Sequence, residues 1–166
     1  MTPEQMIETS IRYRGSVLHD VAWLEKLIDN FIIYHFTTDE LKIIEMQLLL
    51  FGDNRLNLEN KRQIFDYIAI KHHADWYNSY APIRIKDYKK SVPMNNDIIW
   101  IIEERNKFAH LVLDTTDLGI KFEGEIGFLR YKNATERYSY NEKAFRELMF
   151  TIKNVADYLV EKLGNK

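Results

Sequence analysis

Apolar side chains recur at three- and four-residue intervals through the start of the chain. Ile7, Ile11, Leu18, Val21, Leu24, Leu27, Ile28 and Phe31 form one stripe, which predicts a helix over residues 4–35. Thr2, Pro3 and Gln5 mark its start: a capping hydroxyl, a proline at the first helical position and a reciprocal cap three residues on. A second helix is predicted over 39–51, opened by Thr38 before Asp39 and Glu40 and carrying Leu41, Ile44 and Leu48. Gly52 is placed to stop it in the left-handed conformation. A third helix over 58–77 has Ile64, Phe65, Ile68 and Ala69 as its inner face, and a fourth runs over 95–113. The last, over 141–163, is capped by Asn141 and keeps Phe145, Leu148, Met149, Ile152, Val155, Ala156, Leu159 and Leu163 in helical register.

Two stretches break this rhythm. Residues 79–93 hold two prolines and no helical period, and read as an ordered loop that gathers Arg84, Lys86, Lys89 and Lys90. Over 119–140, Ile120, Phe122, Ile126, Phe128, Leu129, Tyr131, Tyr138 and Tyr140 are set among Gly119, Gly124 and Gly127, a pattern of two or three short antiparallel strands. The predicted fold is mainly α: a single-domain helical bundle over 1–166 with a small β-hairpin or three-strand insertion before its last helix.

Composition narrows the chemistry. At 166 residues and 46% hydrophobic, the chain is long enough for a self-sufficient core. With no cysteine it has no disulfide, no thiolate zinc site, no iron–sulfur cluster and no cysteine nucleophile. Twenty-three Lys and Arg against 25 Asp and Glu leave a net charge of −2, so any contact with nucleic acid must be local. The amino terminus lacks the basic and apolar stretches of a secretory signal, and the apolar run from Ile98 to Ile102 is too short to span a bilayer; a cytoplasmic protein without a membrane partner is predicted. The glycines at 119 and 124 are followed by Glu125 and Ile126 where a phosphate loop needs a lysine and a hydroxyl, and neither a Gly-x-Ser-x-Gly nor a His-Glu-x-x-His motif is present. His72 and His73, adjacent on a helix, point about 100° apart and do not readily share an ion, so neither metal nor other cofactor is predicted.

What remains is the segment Ile101-Ile102-Glu103-Glu104-Arg105-Asn106-Lys107-Phe108-Ala109-His110. One reading is structural: Glu104, Arg105 and Lys107 form the solvated face of an amphipathic helix, and His110 sits where the helix dipole favours a cation. The other is catalytic. Asn106 and His110, four residues apart, share a face, whereas Arg105 and His110 differ by about 140°. Two copies of the helix packed across a two-fold axis would bring two Arg and two His into one cleft, which argues for a homodimer. A guanidinium matches phosphate oxygens, an imidazole takes and gives a proton near neutrality, and an Asn amide orients either. Without a metal, this set suits a phosphodiester cleaved by its own neighbouring 2′-hydroxyl, which makes the substrate RNA. Lys107, Arg84, Lys86, Lys89 and Lys90 would then supply backbone attraction.

Arg105-Asn106-Lys107-Phe108-Ala109-His110 resembles the Arg-Asn-x-x-Ala-His form of the Arg-x4–6-His motif of the HEPN superfamily. Arg14-Gly15, Leu24-Glu25 with Leu27, Leu50-Phe51-Gly52 and Asn60-Lys61 are similar in order to HEPN-like relatives of the mannitol-operon repressor family, so the likeness spans about residues 12–113. The resemblance implies a helical bundle and a homodimer with facing motifs. It also implies a metal-independent endoribonuclease, a hydrolase of toxin–antitoxin or anti-phage defence systems, with an antitoxin or regulatory protein as a partner. His110 would be the general acid/base, Arg105 the stabiliser of the scissile phosphate and Asn106 the polar residue that follows it. Non-catalytic HEPN-like scaffolds share the same frame, and a dimeric interaction module is the alternative. The His-x-Tyr extension of toxins silenced by a nucleotidyltransferase is missing, since Leu111 and Val112 follow His110.

Overall fold

A computed structural model of the chain describes residues 2–52, 56–82, 93–121, 124–131 and 134–164. The elements in order are α1 (Pro3–Phe36), α2 (Glu40–Met46) running into a π turn (Gln47–Phe51), α3 (Leu58–His72), α4 (Ala74–Asn78), α5 (Met94–His110), β1 (Val112–Leu113), α6 (Asp117–Ile120), β2 (Glu125–Tyr131), β3 (Thr135–Asn141) and α7 (Glu142–Gly164). The chain is therefore mainly α, with a three-stranded antiparallel sheet in the order β1-β2-β3 before its last helix. Helix α1 packs on α3, α5 and α7, and α5 packs on α3 and α7, so these four helices enclose the core.

Local chemistry explains the starts. Thr2 and Gln5 form a reciprocal capping box, and the Asn141 side chain accepts from the Ala144 amide at 2.9 Å. The second helix is capped by Asp39, one residue later than predicted, because its carboxylate reaches the amides of both Leu41 and Lys42. Gly52 is right-handed (φ −79°), contrary to the left-handed stop predicted; the π turn ends the helix, and a Cβ there would lie 3.0 Å from the carbonyl oxygens of Gln47 and Leu48. The left-handed glycine is Gly124 (φ 76°), which leads into β2.

Two inner faces and three element assignments differ from the predicted pattern. In the first turns of α1 the buried residues are Met6, Ser10, Tyr13 and Val17, not Ile7 and Ile11, because Tyr13 stacks on Phe145 of α7 at 3.7 Å. On α2 and the π turn that follows it, Leu41, Ile44 and Leu48 are exposed, while Ile43 and Met46 pack against the core. The fourth helix stops at His110 rather than 113, since Val112 and Leu113 pair with Leu129 and Phe128 as β1. The predicted third helix breaks at His73 into α3 and α4, and Ile120 lies in the short helix α6 rather than in a strand.

The sheet is fixed to the bundle by aromatic packing. Phe108 of α5, Phe128 of β2 and Tyr140 of β3 meet with ring centroids 4.6–5.8 Å apart, and the two phenylalanines are fully buried. Each such side chain withdrawn from water stabilises by roughly 1.5–3 kcal/mol. Behind them, Arg137 on β3 donates to Asp114 at 2.8 Å and also to Ser139. Burial pushes the Asp114 carboxyl up, but hydrogen bonds from Thr116 and Arg137 outweigh it and hold the group below its usual range. No helix among the described residues is long and apolar enough to cross a membrane.

Candidate active site

The Arg105–His110 segment singled out by sequence forms the last two turns of α5, and its end is held from outside the helix. The Arg14 guanidinium donates to the Leu111 carbonyl at 2.6 Å and lies 4.7 Å over the Phe128 ring. A charge-assisted bond thus satisfies a carbonyl that the end of α5 leaves without an intrahelical partner. Burial lowers the Arg14 pKa from its usual value without removing its charge. His110 is therefore the exposed final residue of a helix whose terminus is pinned to α1 and to the sheet.

Asn106 and His110 open on a common groove of about 620 Å³, lined also by Glu103, Lys107, Leu111, Arg130 and Tyr138. One wall is α5 and the other is the β2–β3 hairpin. The register accounts for the second wall: Leu129 pairs with Val112, so Arg130, the next residue, lies across from Leu111 and beside the helix end. Tyr138 pairs with Phe128 on the neighbouring strand.

Arg105 is half-buried and is not among the groove's lining residues; its guanidinium donates to Asn106 Oδ1 at 3.0 Å. The structure thus places Asn106, Lys107 and His110 in one groove, with Arg105 reaching it through Asn106. Lys107 is engaged within the chain: Nζ donates to Glu104 at 2.6 Å and sits 4.7 Å from the Tyr138 ring. Arg84, Lys86, Lys89 and Lys90 lie outside the described residues.

Glu104 departs from the solvated-face reading. It is only 6% exposed and accepts from Tyr140 at 2.5 Å as well as from Lys107. Burial, then the Glu104 carboxylate, push the Tyr140 phenol far above its usual pKa, so it stays a hydrogen-bond donor. This buried acid ties the hairpin to the helix carrying Asn106 and His110. Its partner is 36 residues away in sequence, which is why helical periodicity assigned it to the solvent side.

Sequence reasoning also missed Arg130, Tyr138 and Glu103 as groove residues. The hairpin was legible, but its docking against α5 depends on β1, and residues 112–113 carry the apolar pattern of the preceding helix. Elsewhere, His72 lies against His35 with ring centroids 4.7 Å apart, and His73 against Phe31 at 5.4 Å. Among the described residues, no group of three or more His, Asp or Glu is placed to hold a metal ion. Comparison of the chain with protein-family models, curated proteins and solved structures finds no match in any of the three.

Proposed function

We propose that the protein is a metal-independent endoribonuclease of HEPN type, acting as a cytoplasmic homodimer in a toxin–antitoxin or anti-phage setting, with an antitoxin or regulatory protein as its partner. The observation that carries this reading is the pair Asn106 and His110 on one groove at the pinned end of α5. An exposed imidazole beside a groove can remove the proton from a ribose 2′-hydroxyl, and in its protonated form can deliver one to a departing 5′-oxygen. The 2′-oxygen then bonds to phosphorus as the P–O5′ bond breaks, leaving a 2′,3′-cyclic phosphate and a 5′-hydroxyl. Arg105 is the cation for the pentavalent phosphate, and two copies of α5 facing across a two-fold axis give the cleft a second guanidinium.

The test is single-stranded RNA incubated with purified protein in EDTA. The parent protein cleaves it, and His110→Ala lowers the rate by about 100-fold or more, the range of general acid–base catalysis. Undiminished cleavage by His110→Ala removes the proposed acid/base. A second reading, a non-catalytic dimeric scaffold, is favoured by Arg105, which donates to Asn106 and does not itself line the groove. Its mark is dissociation of Arg105→Ala into monomers, together with no RNA turnover by the parent protein.

A further inference from the structure

Arg130 stands out among the cations of the described residues near the groove. Lys107 is neutralised by Glu104, Arg14 is bound to a backbone carbonyl, and Arg105, assigned above to the reacting phosphate, does not itself line the groove. Arg130 is exposed and lines the groove, and its side chain forms no hydrogen bond, ion pair or ring contact among the described residues. A carboxylate is nearby: Glu136 is its Cα partner across the β2–β3 ladder. Yet Glu136 accepts a hydrogen bond from the Tyr138 hydroxyl at 2.7 Å and makes no ion pair with Arg130. Cross-strand opposite charges ordinarily pair; here the acid is turned to its own strand and the guanidinium is left to the groove.

The groove is also graded in charge along its length. The Arg130 guanidinium lies at the end marked by His110, whereas the Glu103 carboxylate is seven residues before His110, about 10 Å back along the helix. An anion entering the groove is therefore drawn to the His110 end and repelled from the far end. The walls add the Tyr138 ring and Leu111, which suit an extended polymer with an anionic backbone and apolar faces better than a small inorganic ion.

We propose that Arg130 is the backbone-phosphate contact of this groove, so that the β2–β3 hairpin admits one strand of nucleic acid alongside α5. The proposal rests on the endoribonuclease reading for the identity of that strand as RNA. Arg130 contacts a phosphate beside the one that reacts, and the hairpin is the strand-binding wall of the site.

The experiment measures binding of a fluorescein-labelled, fully 2′-O-methylated RNA 12-mer, which a 2′-hydroxyl mechanism cannot cut, by anisotropy from 50 to 300 mM salt. Arg130→Ala is expected to weaken binding about tenfold at the lowest salt and to reduce the slope of log K against log[salt] by roughly 0.7, the loss of one single-strand phosphate contact. Arg130→Lys keeps the slope near the parental value, as a point charge does. Arg146→Ala, a cation of α7 paired with Glu142 and lining a different groove, leaves both quantities unchanged. Parental affinity and slope in Arg130→Ala overturn the proposal even where His110→Ala abolishes RNA cleavage, and so does a parent protein that does not bind the 12-mer. Conversely, loss of binding in Arg130→Ala alongside undiminished cleavage by His110→Ala upholds the hairpin contact and removes the acid/base reading.

Discussion

Removing one oxygen from Tyr140 tests whether the hairpin is held to α5 through a buried acid. Tyr140 is 7% exposed and its hydroxyl donates to Glu104 at 2.5 Å, while the other carboxylate oxygen takes Lys107. Tyr140→Phe keeps the ring, and with it the contacts to Phe108 and Phe128, so the loss is confined to the hydrogen bond and the acceptor it leaves behind. A hydrogen bond to a charged group contributes about 1.5–3 kcal/mol. Lys107 continues to neutralise the carboxylate, which keeps the expected loss near 2–3 kcal/mol. At about 2–4 °C per kcal/mol for a chain of this size, the melting temperature falls by roughly 4–12 °C. Urea unfolding of Tyr140→Phe, Glu104→Gln and the double variant closes the cycle. The double variant should be more stable than additivity allows by about 1 kcal/mol or more, because both single changes remove the same interaction. A loss below about 0.5 kcal/mol in Tyr140→Phe, or strict additivity, refutes the reasoning.

Two further outcomes follow from buried and paired charges. Lys61, 2% exposed, donates to Glu25 at 2.7 Å and Asp29 at 3.0 Å, so Lys61→Met leaves an uncompensated buried carboxylate and should destabilise by about 3–5 kcal/mol in urea titrations, with Asp29→Asn restoring most of it. Burial already raises the Asp29 pKa and Lys61 opposes that rise; without the lysine the folded state takes up a proton before the unfolded state, so the variant's deficit shrinks as pH falls toward 3.8, and a deficit that instead grows over that range contradicts the assignment. Glu59 behaves oppositely: its hydrogen bonds from Arg62 hold its pKa down to about 2. Its contribution is complete above pH 4.5 and is lost as pH falls through about 2, so the acid limb of stability should be shallower in Glu59→Gln.

The bundle was largely legible because its evidence is local. Thr2, Pro3 and Gln5 act on one another within a single turn, and the spacing from Leu148 to Leu159 places one face of α7 in the core whatever lies opposite. The misplacements share one cause: an inner face is decided by its partner. Ser10 and Tyr13 are inside because Phe145 stacks on Tyr13, and Ile11 is outside although it is the more apolar residue. The same holds at the site. Asn106 and His110 were legible as one helix face because i and i+4 coincide on any α-helix. The opposite wall was not, since Arg130 and Tyr138 reach the groove only through the pairing of β2 with two residues that read as helix. Glu104 was hidden for a related reason, its partner lying on a strand that no helical period encodes.

Chemistry at the 2′-oxygen is the central claim, and one substrate pair addresses it directly. A short single-stranded RNA and the same strand carrying a single 2′-deoxynucleotide 5′ to the cleaved linkage are incubated in EDTA, and the product ends are read by mass. The account predicts cutting of the all-ribose strand alone, to a 2′,3′-cyclic phosphate and a 5′-hydroxyl, with the deoxy linkage intact. Scission at the deoxy position, or products that carry a 5′-phosphate, would contradict it.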